Sequence, residues 1–257
     1  MQITGQIGRK TLKSVNHISN LCALTYKLLR LLVQKHETGR ALMKRVVIEQ
    51  IYFTAVEALL IIIPIALIVG SMLIIQFAKL SGQYDLGKTM VLIIIRELGP
   101  MITALIVILR SATSVVIEIG YMNVFNEIDA IEMAGVDPLR YVCLPRLIGI
   151  TSAVFCLFIV FDLVAIIGGY AVIWTTTYIP VGNFLAQIGK ALTLDDIILS
   201  VIKALCFGIT ITVTCIYHGF SVKKQITNIP VETSRAAIEC FFYCLLINLV
   251  ISVLFYI

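Results

Sequence analysis

"IIIRELGPMITAL", residues 93–105, sets an arginine, a glutamate and a Gly-Pro pair inside an otherwise apolar run. Extended to Thr89–Ile119, that run is long enough to cross a bilayer, whose hydrocarbon core of about 30 Å takes roughly 20 residues of helix. The intruders are costly there. An ionised side chain at a helix centre costs about 2.5 to 3.5 kcal/mol on insertion scales, and Gly-Pro weakens a helix ladder unless neighbouring groups re-satisfy the freed backbone. Arg96 and Glu97 therefore imply polar partners or a cavity within a helix bundle.

Working outward, four more stretches have the same length and character: Tyr52–Phe77, Leu147–Trp174, Ile197–Tyr217 and Ala236–Ile257. Hydrophobic residues make up 60 % of the 257 and charged residues 14 %, with a mean hydropathy of +1.01. Soluble domains are about half apolar and about a quarter charged. The fold class is an all-α membrane protein with five transmembrane helices. Continuous Ile/Leu/Val runs exclude the alternating strands of a membrane β-barrel, and the absence of matching halves argues against an inverted-repeat transporter. The opening "MQITGQIGRKTLK" lacks the apolar core of a cleavable signal peptide, so the N-terminus is expected to stay on the chain.

Orientation follows from the connections. With the N-terminus cytoplasmic, the inside segments carry fourteen Lys and Arg and the outside loops only Lys79, Lys88 and Lys190. Positive segments resist translocation, so N-in and C-out is expected, with Trp174 and Tyr178 at the outer interface. The basic excess suits an anionic lipid surface, and no interleaving of aromatic and basic residues suggests nucleic acid.

Residues 1–51 read as a cytoplasmic N-terminus and 52–257 as the transmembrane domain. Leu21, Leu24, Leu28, Leu31 and Leu32 recur at helical spacing, while Lys27, Arg30 and Lys35 fall on other faces. That pattern predicts a basic amphipathic helix lying in the membrane interface. Between the second and third spans, "NVFNEIDAIEMAGVDPLRY", residues 123–141, predicts a short amphipathic helix over about 123–135. Gly135 suits a left-handed helix end, and Asp137 with Pro138 reads as an N-cap and first helical residue. Periodicity leaves two readings, a docking piece for a soluble partner or a connector on the membrane surface.

The block from Arg96 to Leu147 resembles the signature of the MlaE/YrbE family, the permease subunits of Mla/Mce-type lipid-transporting ABC systems. Arg96, Glu97, Leu98, Gly99 and Pro100 match its R-E-L-G-P element; Arg110, Glu118 and Gly120 match parts of the next. Met122 and Glu127 through Glu132 fit M-x-x-x-E-Q-[IL]-D-A-[LI]-E, and Asp137 through Tyr141, Pro145 and Arg146 complete the series. The likeness continues more weakly from about residue 40, in "EQIYF" and "IKALCFGITIT". It departs at Leu109, Ser111 and Ala112, where the family favours small glycines, and at Asn228 and Pro230 in the last inside loop.

The resemblance implies a homodimer joined to two ABC ATPase subunits, with phospholipid held between the permeases and exchanged with an MCE-domain protein. It implies a bacterial inner membrane, or a plastid inner envelope. The helix at 123–135 becomes a coupling helix, with Glu127, Asp129, Glu132, Gly135, Asp137 and Arg140 as its ATPase-facing residues. No G-x-x-x-x-G-K-[ST] loop occurs in the chain, so ATP and Mg are expected on the partner, with no cofactor on this chain.

For lipid binding the expected residues are Arg96 and Glu97, lining a polar part of the cavity, with Leu73 and Ile75 housing acyl tails. The opposing reading is an ion pair with Arg110, Glu118 or Glu57 that only orders the bundle. Asp162 and Lys203 are open to three readings: pairing, a subunit interface or the cavity wall. Arg110 and Glu118 are expected to anchor their helix toward the coupling corner. Seven cysteines without C-x-x-C read as small hydrophobes, and His218 as a satisfied interfacial residue rather than a ligand. H-E-x-x-H and G-x-S-x-G are absent. A lipid-modifying membrane enzyme and a non-transporting scaffold of an envelope complex are the alternatives to a permease.

Overall fold

The computed structural model describes residues 2–34, 40–79, 92–177 and 192–256, with residues 182 and 189 besides. Among these the backbone is helical nearly throughout and contains no strand. A helix satisfies its own peptide groups, which is what hydrocarbon demands of a spanning segment. Five helical segments are long and apolar enough to span: Met43–Leu73, Ile93–Val124, Leu139–Val172, Leu194–Ser221 and Ile226–Phe255. All five expected spans are thus present in an all-α membrane protein. Their bounds differ from the apolar runs because a helix continues past its hydrophobic stretch until something stops it. Span one is helical from Arg40 to Lys79. Span four begins at a capping box, in which Thr193 and Asp196 cover each other's backbone N–H groups.

Neighbouring spans alternate in direction. In the parallel pair of spans one and three, Gln50 abuts Gly149 and Leu67 abuts Gly168. Spans two and four are also parallel, with Arg96 bonded to Asp196 near one end and Ile119 against Gly219 near the other. Spans two and three run opposite ways, since Gly99 faces Asp162 and Arg146 meets Glu118, as do four and five, where Lys203 reaches Ser252 and Cys215 lies against Cys240.

Helices in lipid gain little from hydrophobicity and associate by close backbone approach at small residues. Span one crosses span three at Gly70, where an added Cβ would lie 2.1 Å from the carbonyl oxygen of Ala165. At the departures from the family pattern, Ser111 and Ala112 are buried while the bulkier Leu109 points outward. The larger side chain therefore does not enter the helix contact.

The N-terminal helix, Gln2–Val33, lays Leu21, Leu24 and Leu28 against the bundle. It packs on span four and the start of span three, with Lys27 and Arg30 exposed. Part of the leucine stripe is thus buried in protein, while Val15, Ile18, Tyr26, Leu29, Leu32 and Val33 are left exposed. Lys35, Lys88, Tyr178 and Lys190 lie outside the described residues, whereas Trp174 is exposed at the end of span three.

Where one helix over 123–135 is expected, span two runs on to Val124 and a shorter corner helix covers Glu127–Met133. Asn126 separates them in a left-handed conformation, φ 57°, which asparagine tolerates better than most residues. Gly135 is left-handed at φ 78°, as expected. Asp137 Oδ1 accepts from Leu139 N–H at 3.0 Å, the expected cap at the start of span three.

Candidate functional site

Span two opens with a π-helical turn, Leu92–Leu98, followed directly by α-helix from Gly99. Pro100 supplies no N–H. In α-helical pairing it would have covered the carbonyl of Arg96, and in π-helical pairing that of Ile95. Both oxygens are covered from span four instead. Lys203 Nζ donates to Arg96 O at 3.1 Å, and Ser200 Oγ donates to Ile95 O at 3.0 Å. The Gly-Pro pair thereby opens a helix edge that a second helix closes.

The same ammonium donates to Glu97 Oε1 at 2.9 Å and to Ser252 Oγ at 2.8 Å, so all three of its N–H bonds have acceptors. Glu97 Oε2 accepts from Asn248 Nδ2 at 3.1 Å, and Ser252 Oγ lies 2.9 Å from Oε1. Arg96 turns the other way, donating from Nη1 to Asp196 Oδ1 at 3.2 Å. Spans two, four and five thus share one polar cluster near one end of an apolar bundle. The Lys203 side chain is 0 % exposed and that of Glu97 27 %; Arg96 and Asp196 are nearly closed off, at 12 % and 9 %. Glu97 is part-exposed, as are Asn248 and Ser252.

This arrangement decides among the partnerships that the sequence left open. Arg96 and Glu97 pair with Asp196 and Lys203, not with Arg110, Glu118 or Glu57. Those three are engaged elsewhere. Arg110 bonds Glu57 and the Phe53 carbonyl, and its guanidinium stacks 5.2 Å from the Phe53 ring centre. Glu118 takes Arg146 at 2.6 Å. Lys203 does not pair with Asp162, which is buried against Gly99, where an added Cβ would lie 2.0 Å from Asp162 Oδ1. Leu73 is part-buried against the core and Ile75 is exposed on span one. Asp196, Ser200, Asn248 and Ser252 escaped sequence reasoning. The legible traces were the T-x-x-D cap before span four and the one-turn spacing of Asn248 and Ser252, which places both on one face of span five.

At the opposite end of span two, the corner helix turns Ile128 inward and leaves Glu127, Asp129, Glu132 and Met133 exposed. Met133 is 83 % exposed. Lys224, from the connection between spans four and five, donates to Asn126 Oδ1 at 2.6 Å and pairs with Asp129 at 3.0 Å. Asn123 Nδ2 donates to the carbonyls of Phe220 and Val222 at 3.0 and 2.9 Å. Asp137 caps span three, and Arg140 Nη2 reaches Gln34 Oε1 at 3.4 Å. The corner is thereby tied both to the other connection at this end and to the end of the N-terminal helix. Its acidic and apolar residues face out on a fixed base.

Comparison with known proteins agrees with this architecture. Over its full length the chain is 24 % identical to a probable ABC transporter permease protein of Rickettsia felis, covering 98 % of that protein. It is 27 % identical to the intermembrane phospholipid transport system permease protein MlaE of Haemophilus influenzae, over 81 % of this chain and 82 % of that one. A probable ABC transporter permease protein of Synechocystis is 25 % identical over 81 % of each. The family model described as Permease MlaE matches residues 47–254, which take in nearly the whole of all five spans. With that match over most of its length, the chain belongs to the MlaE permease family.

Proposed function

We propose that this permease moves phospholipid between membranes as the spanning subunit of an ATP-driven ABC system, working as a homodimer with two ATPase subunits and an MCE-domain protein. The observation that carries the reading is Glu97, a carboxylate held by Lys203, Asn248 and Ser252 yet still open at 27 % exposure. A fully neutralised structural pair has no need of that opening, whereas a polar headgroup does. An apolar groove of about 370 Å³ also runs along spans four and five, lined by Cys206, Ile209, Thr210, Leu246, Ile247 and Ile251. Arg96 contributes by holding the start of span four, and Leu73 and Ile75 line the tail path on span one.

A second copy is favoured by span five, whose Phe242, Leu249 and Leu254 are more than half exposed. The ATPase reading rests on the corner helix, with Glu127, Asp129, Glu132 and Met133 as the contacting residues and Gly135, Asp137 and Arg140 fixing its pose. ATP and Mg belong to that partner. The N-terminal helix would rest on the cytoplasmic interface through Tyr26, Leu29, Leu32 and Val33, in a bacterial inner membrane or a plastid inner envelope.

The test is lipid transfer between vesicle-reconstituted complex and acceptor protein, with Glu97→Ala compared against an exposed control, Leu109→Ala. Loss of transfer in the first variant alone is expected, measured below the melting temperature of both variants and with the ATPase still bound. Undiminished transfer by Glu97→Ala would overturn the role assigned to the cluster.

A further inference from the structure

Apart from the cluster around Lys203, a second set of polar side chains gathers where the N-terminal helix meets spans four and five. His17 Nε2 lies 2.8 Å from Glu239 Oε2, and His218 Nε2 lies 3.0 Å from the same oxygen. The two histidines are 201 residues apart in sequence, so their convergence on one atom is a product of the fold. On its other side His218 Nδ1 is 3.0 Å from Glu232 Oε2, and Glu232 is held by Arg235 at 2.6 Å. The Tyr217 ring stands edge-on to His17 with centroids 4.7 Å apart, which fixes the His17 ring plane.

We propose that His17, His218 and Glu239 form a site for a divalent transition-metal ion of the zinc class, which fastens the N-terminal helix to spans four and five. The three ligand atoms lie within 4.8 Å of one another. Tetrahedral ligands at zinc's bond lengths stand about 3.3 Å apart, so the donors need only small side-chain rotations to accept the ion. Two imidazoles and one carboxylate suit zinc, cobalt or nickel and suit calcium and magnesium poorly.

The surrounding groups prepare the site. A metal-bound imidazole commonly donates its remaining N–H to a carboxylate, which fixes the tautomer and raises ligand basicity. Glu232 stands in that position behind His218. With Nδ1–H given to Glu232, His218 presents a lone pair at Nε2, and that lone pair faces the Glu239 oxygen. Two like electron-rich atoms stay together only with a cation between them, either a second proton on the imidazole or a metal ion. The ion satisfies His17, His218 and Glu239 together. His218 is buried, while His17 and Glu239 are part-exposed and leave a route for entry. The inference stands apart from the lipid-transport reading, since it concerns docking of the N-terminal helix.

The experiment uses the full-length chain without a polyhistidine tag, purified in detergent, stripped with chelator and re-equilibrated with zinc or cobalt(II). About one metal per chain is expected, with the visible absorption of tetrahedral cobalt. His17→Gln and His218→Ala should abolish both, and Glu232→Gln should weaken zinc binding about 10- to 100-fold. If His218→Ala does not fold, His17→Gln decides, because its site is on the part-exposed N-terminal helix. Absence of stoichiometric metal, or metal retained equally by His17→Gln, would overturn the proposal and leave a proton-bridged His–carboxylate ladder in its place.

Discussion

Lys203 reaches across from span four to the carbonyl of Arg96 at 3.1 Å, the oxygen four residues before Pro100. The proline withholds an N–H and the lysine supplies one, so a defect in one helix becomes the attachment point of another. Glu97 then hangs on the same ammonium. The cluster is therefore built on backbone as well as on charge, and the carbonyl it covers is one that Pro100 leaves without its helical partner.

Replacing Pro100 with alanine should make span two a better helix and a worse permease. The intrinsic gain is about 3 kcal/mol in a helix interior. The restored N–H competes with Lys203 for Arg96 O, the π-helical turn relaxes, and Glu97 rotates away from Ser252. Thermal unfolding in detergent should show an equal or higher Tm than the parent, while lipid transfer falls. Full transfer with raised stability would refute the link between the proline and the cluster.

Glu97 and Lys203 should behave as a coupled pair. Removing one partner of a buried pair typically costs about 3 to 5 kcal/mol, because the other charge is left unmatched. Lys203, fully enclosed, is the more exacting partner. Glu97→Gln alone should therefore lower Tm sharply, and the double variant Glu97→Gln/Lys203→Met should recover most of the loss. A double-mutant cycle with additive effects would show that the two groups do not depend on each other.

On the corner helix, Asp129→Lys and Met133→Asp should weaken association with the ATPase without unfolding the permease. Both side chains are exposed and Ile128, the buried anchor, is untouched. Asp129→Lys also breaks the Lys224 pair, but exposed pairs contribute only about 0 to 1 kcal/mol. Co-purification of the two subunits checks this, with an unchanged Tm as the control.

Two glycines should fail for different reasons. Gly70→Val puts a side chain into the Ala165 carbonyl, a backbone atom with no rotamer to yield, so spans one and three must separate. A large loss of folded yield is expected. Gly135→Ala meets nothing within 4 Å and pays only for its left-handed backbone, about 1 to 2 kcal/mol. Comparing the yields and melting curves of the two variants tests the assignment.

The helices were legible because hydrocarbon permits few solutions: a long apolar run must be a helix, and five runs gave five spans. Gly135 and Asp137 could be read locally, since the backbone conformation of one and the cap of the other depend on near neighbours. The partners of Arg96 and Glu97 could not. Asp196 and Lys203 lie about a hundred residues away, and choosing them over Arg110 or Glu118 requires knowing which spans run parallel. The leucine stripe of the N-terminal helix was visible, but the same periodicity serves a bilayer surface and a protein groove. Asn126 shortened the corner helix through a single left-handed residue, a choice that side-chain periodicity does not register.

The alternating directions of the five spans have a practical corollary. A strand of rope passed through a wall an odd number of times leaves its tails in different rooms, whichever room it starts from. A fluorophore joined after Ile257 would emerge in the compartment opposite the one that holds the corner helix. With N-in insertion, a reporter that matures only in the cytosol would stay dark on that tail and shine when placed before residue 1.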